Sequence, residues 1–129
     1  MKIVDIKTMN GPNYWSIRRH KLIVMRLDLE DMEQRPTNTI DGFYERLKNL
    51  FPTMYGHRCS PGVPGGFFQR VQEGTWMGHV IEHIALELQT LAGMETGFGR
   101  TRGASKEGVY HVVFSYVEEE VGKQTAKAA

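Results

Sequence analysis

The chain has 129 residues, 40% of them hydrophobic and 24% charged, with a formal net charge of +1, an ordinary composition for one globular domain with a modest core. So small a net charge gives no bulk electrostatic case for nucleic acid or an anionic membrane, and no apolar run approaches the roughly 20 residues of a membrane span. A single cysteine, Cys59, excludes an internal disulfide, and Asp5 interrupts the short apolar start, so the N-terminus does not read as a signal peptide; the expected setting is reducing and cytoplasmic.

Lys2 to Met9, with Ile3 and Ile6, predicts a short strand, and Asn10-Gly11-Pro12-Asn13 a turn. Tyr14 and Trp15 follow and read as a lid over the core. Arg18-Arg19-His20-Lys21 is a cationic cluster, either a solvated strand edge or an anion site. Leu22 to Leu29 is the clearest strand, Ile23, Met25, Leu27 and Leu29 alternating with Val24, Arg26 and Asp28. Glu30 to Asn38 is polar, holds Pro36 and reads as a loop. Thr39 or Asp41 can cap a helix carrying Ile40, Phe43, Leu47 and Leu50, which Pro52 ends.

Residues 56–66 are rich in glycine and proline and suit either an active-site loop or a linker. Phe67 to Gln72 reads as a short helix. A longer one runs from Trp76 to Leu91, and Gly93 fits the left-handed position after its end. In the segment from Thr96 to Gly103 the glycines would let backbone approach a ligand. Its arginines, Arg100 and Arg102, offer planar forks for carboxylates. The plainer alternative is a β-turn region with solvated arginines. Neither a P-loop nor a dinucleotide fingerprint is present, so no ATP site is expected. Val109 to Val117 is a second strong strand, and Glu118 to Ala128 a helix with acids in its first turn, expected to continue into a further segment. About four strands and three or four helices, without regular alternation, predict an α+β fold: an antiparallel sheet with helices packed on one face.

The chemistry centres on His79-Val80-Ile81-Glu82-His83, the inverted zinc-peptidase pattern H-x-x-E-H. On a helical wheel His83 lies about 40° to one side of His79 and Glu82 about 60° to the other, so all three share a face. Val80, Ile81, Ile84, Ala85 and Leu88 form a core stripe on the opposite side. Leu86 alone is apolar among the His/Glu set and suggests the wall of a cleft. Two imidazoles can hold one zinc, and Glu82 can serve as general base. The bland alternative is a solvated helix face. A zinc site needs a third protein ligand. Glu87, Cys59, His57, His111 and the run Glu118-Glu119-Glu120 are the candidates.

Ordered blocks through nearly the whole chain resemble the N-terminal domain of cyanophycin synthetase: Gly11-Pro12-Asn13-Tyr14-Trp15-Ser16, Leu22 to Leu29, Cys59-Ser60, Gly65-Gly66-Phe67, Gly78 to His83, Glu87-Leu88-Gln89 and Gly97 to Arg102. The resemblance implies that residues 1–129 form one domain of a larger ATP-dependent ligase whose ATP-grasp and Mur-ligase-like domains are absent here. It implies cyanophycin as partner, a poly-aspartate carrying arginine on each side-chain carboxyl, together with the other domains of the parent synthetase. A domain of this kind holds the polymer and, in some members, cuts it into primers at a metal site. On that reading His79 and His83 hold zinc, Glu82 is catalytic, and Arg100 and Arg102 meet substrate carboxylates. Glu87 or Glu119 completes the zinc shell or takes a guanidinium. The alternative is a tethering domain without catalysis. Whether cuts fall within the polymer or at its end is left open.

Overall fold

The computed structural model describes residues 1–11, 15, 21–59 and 61–129. Four strands, β1 (Lys2–Asn10), β2 (Lys21–Asp28), β3 (Gly99–Gly103) and β4 (Val109–Ser115), form one antiparallel sheet in the order β1-β2-β4-β3. Among the described residues four α-helices accompany it: α1 (Phe43–Leu50), α2 (Gly66–Glu73), α3 (Met77–Leu91) and α4 (Glu119–Ala128). The expected α+β architecture is present.

Strand alternation decides the layers. Ile23, Met25 and Leu27 of β2 and Val112 and Phe114 of β4 point to one face. They join Phe67, Phe68 and Val71 of α2, Met77, Val80, Ile81 and Ala85 of α3 and Ala126 of α4 in the main core. α3 packs on β3 and β4, and α4 on β1 and β2. The opposite face is not bare. Leu22, Val24 and Val113 are fully buried there beneath Met9, Trp15 and Phe98, so Trp15 does act as a lid, but over this second cluster. Tyr14 and the cationic run Arg18-Arg19-His20 fall outside the described residues.

The sequence-based boundaries shift modestly. The polar loop after β2 contains two 3-10 turns, Glu30–Gln34 and Thr37–Thr39. Gly42, at φ +65°, precedes α1 where Thr39 or Asp41 was expected to cap it. Pro52 ends α1 and opens a further 3-10 turn, Pro52–Gly56. Gly93 takes φ +82° after α3, as expected. The larger correction concerns Thr96 to Gly103: its second half is the edge strand β3, paired along β4 from Gly99↔Phe114 to Gly103↔Tyr110. Glycine depresses strand propensity, but β4 supplies a ready ladder. Among the described residues no helix is long and apolar enough to cross a membrane.

Candidate metal centre

The sequence predicts that His79, Glu82 and His83 share one face of α3, and they line one cleft of about 860 Å³. Its opposite walls come from His57, Arg58 and Cys59 of the loop before α2, and from Gly99 to Arg102 of β3. Leu86 also lines it, the wall position inferred from the wheel. The face is more enclosed than a simple amphipathic helix suggests: Glu82 is 6% exposed and His83 8%.

The ligand atoms of Cys59, His79 and His83 lie within 4.8 Å of one another. Cys59 Sγ is 3.2 Å from His79 Nε2. A tetrahedral zinc with bonds of about 2.0–2.3 Å would separate its donors by roughly 3.3–3.6 Å, close to that spacing. Two imidazoles and one thiol form a donor set suited to zinc. Cys59 is held at φ +52°, an uncommon conformation for a non-glycine residue and a mark of local constraint. The constraint has a source. A Cβ on Gly66, at the start of α2, would lie 2.0 Å from the Arg58 carbonyl oxygen, so the loop is pressed onto that helix.

Each histidine has a second partner. His79 Nδ1 meets Thr75 Oγ1 at 2.8 Å. Thr75 is itself fixed, its N–H donating to Thr37 Oγ1 at 2.9 Å and its carbonyl accepting from Thr37 N at 2.8 Å. His83 Nδ1 meets His57 Nδ1 at 2.9 Å, and His57 Nε2 meets Glu87 Oε2 at 2.9 Å. Thr53 Oγ1 donates to the other Glu87 oxygen. Phe67 stacks on the His83 ring with centroids 4.2 Å apart. Burial pushes His79 down to about 4, helped by the charge of Arg70, and His83 down to about 2, helped by His79 and His57. Both rings are therefore neutral at ordinary pH, as metal ligation requires.

Glu82 lines the same cleft but is not one of the grouped donors, and its carboxyl lies against β3. Thr101 Oγ1 donates to Glu82 Oε2 at 2.7 Å. A Cβ on Gly99 would lie 2.6 Å from Glu82 Oε1, and one on Gly78 would lie 2.9 Å from Thr101 Cγ2. These two glycines let α3 and β3 approach closely enough to hold the carboxyl. Gly99 thus serves the site by admitting Glu82, where the sequence suggested backbone contact with a ligand. Burial raises Glu82 to about 7, against the opposing effects of the Thr101 hydrogen bond and the Arg100 charge.

The other sequence candidates separate cleanly. Arg100 and Arg102 line the cleft, with Arg100 5.8 Å from the Phe98 ring and Arg102 4.8 Å from the Trp15 ring. Glu87 is in the cleft but bonded to His57 and Thr53, and lies outside the three-residue donor set. Glu119 begins α4 and pairs with Lys123, while Glu118 caps that helix by accepting from Val121 N at 3.0 Å. Neither these acids nor Glu120 lines the cleft. His111 is on β4 facing the Trp15 side of the sheet, its ring 6.3 Å from Trp15. Sequence reasoning gave no site role to Thr53, Phe67, Thr75 or Thr101, and gave Gly99 a different one. Only Thr75 carried a usable signal, one helical turn before His79.

A family model described as "Cyanophycin synthase-like N-terminal domain" matches residues 24–129. Curated proteins named cyanophycin synthetase match all 129 residues. Those of Trichormus variabilis and Synechocystis sp. are each 60% identical, and that of Crocosphaera subtropica 57%. The chain spans 14–15% of the length of these relatives.

Proposed function

This chain belongs to the cyanophycin synthase-like N-terminal domain family, and from that premise we propose that its cleft is a zinc-dependent amide hydrolase site acting on cyanophycin. Cys59, His79 and His83 would hold the metal, with Cys59, one of the candidates read from the sequence, in the place that the resemblance gave to Glu87 or Glu119. The observation that carries this reading is the convergence of those three donors beside a buried carboxyl near neutrality. A bound zinc would polarise the scissile carbonyl and lower the pKa of an adjacent water.

The chain's own groups supply the rest. Glu82, raised to about 7, takes a proton from the attacking water and returns it to the leaving amine, since a group near the working pH serves both directions. Thr101 and Gly99 hold the carboxyl in place. Arg58, Arg100 and Arg102 line the cleft and suit the free carboxylate that each repeat of the polymer carries on its arginine, beside the guanidinium. The shortened polymers would serve as primers for a parent synthetase, with which this domain would work in a cytoplasmic setting.

A second reading is polymer tethering without cleavage. It is favoured by the relatives' printed name, which is that of a synthetase. Metal analysis of the purified chain and a Cys59→Ser variant tests the centre. One zinc per chain, with affinity sharply reduced in the variant, supports it. A metal-free parent, or a variant that binds zinc equally well, contradicts it.

A further inference from the structure

The Thr53–Glu87–His57–His83 chain does no chemistry in the proposal above, yet Glu87, 3% exposed, is among the most buried charged side chains. We infer that Glu87 and His57 are positioning residues which fix the His83 tautomer and turn its Nε2 lone pair toward the metal; this rests on the reading of the cleft as a zinc site. The argument follows donors and acceptors. A carboxylate only accepts. Glu87 takes the Thr53 hydroxyl proton on one oxygen and faces His57 Nε2 at 2.9 Å on the other. His57 Nε2 must therefore be the protonated nitrogen. In a neutral His57 ring the Nδ1 atom is then an acceptor, and its partner 2.9 Å away, His83 Nδ1, carries the hydrogen. His83 is left with its lone pair on Nε2. The reverse polarity in a neutral His57 would set a nitrogen lone pair against a carboxylate oxygen.

The arrangement extends the carboxylate–histidine–zinc pattern by one ring. Thr75 would have the equivalent part at His79: a hydroxyl oxygen 2.8 Å from Nδ1 can accept its hydrogen and leave the lone pair on Nε2, which lies 3.2 Å from Cys59 Sγ. Phe67, stacked on His83, restrains the ring plane, so the hydrogen bond that His83 donates to His57 decides which nitrogen is available.

Two readouts test this. The first is the tautomer state of His57 and His83 in the metal-free chain, from nitrogen-15 chemical shifts at neutral pH. The expected result is Nδ1–H for His83 and Nε2–H for His57. A His83 ring protonated at Nε2 overturns the inference, whether or not zinc binds. The second is zinc affinity by chelator competition. His57→Phe keeps a ring but no acceptor and should weaken binding roughly 10- to 100-fold. His57→Asn keeps an acceptor near the Nδ1 position and should recover most of the loss. Phe and Asn variants that both bind zinc as the parent does overturn the relay while leaving the zinc site standing. Weakening in the Phe variant with unchanged metal-free unfolding separates positioning from general destabilisation.

Discussion

Glu82 is the residue on which the proposed chemistry turns, and its burial has two measurable consequences. Cleavage should rise with pH along a limb near 7, because the base must be ionised. Glu82→Gln should lower cleavage by roughly 10²- to 10⁴-fold while zinc still binds, since the proposal makes Glu82 a base and not a ligand. The same shift bears on stability. The unfolded carboxyl titrates near 4.5 and the folded one near 7, so the folded state holds the proton longer. The favourable contribution is complete below 4.5 and is lost as pH rises through 7. At about 1.4 kcal/mol per pH unit of displacement, ionised Glu82 costs the metal-free fold about 3 kcal/mol. Metal-free Glu82→Gln should therefore gain stability over the parent as pH rises from about 5 to about 8, measured by urea unfolding. A constant gap would show that Glu82 is not buried as described. Gly99→Ala tests the same carboxyl from the other side. Its Cβ would meet Oε1 at 2.6 Å, so activity should fall by roughly tenfold or more with zinc affinity little changed.

At the scale of elements, the site depends on two close approaches: β3 against α3, and the 57–59 loop against the start of α2. Gly66→Ala tests the second. The clash with the Arg58 carbonyl should displace Cys59, weaken zinc binding and destabilise the fold by about 1–3 kcal/mol, both readable by metal competition and thermal melting. These approaches also explain what the sequence revealed and what it hid. The α3 face was legible because His79, Glu82 and His83 obey one helical period, and β2 and β4 because alternation and β-branching agree. β3 was hidden: Gly99-Arg100-Thr101-Arg102-Gly103 has no strand signature of its own and borrows its conformation from β4. Cys59 was only one candidate among several, because the spacing between loop and helix carries no period. Thr101 could be placed beside Glu82 only once the β3 register was known.

Over the whole molecule, the sheet is a platform with two unlike faces. One carries the helices and the main core. The other buries a small cluster under Trp15 and Phe98, and Arg100 and Arg102, beside those rings, also border the cleft. A polymer crossing the cleft would pass cationic forks on its way to Glu82, and neutralising both arginines should raise KM for cyanophycin more than it lowers kcat. The central claim is best tested by incubating the purified chain with cyanophycin, with and without a chelator, and identifying released fragments by mass spectrometry. The account predicts short β-aspartyl-arginine fragments that disappear with chelator and return with zinc. Intact polymer under every condition, even when retained by the protein, would contradict hydrolysis and leave a tethering domain.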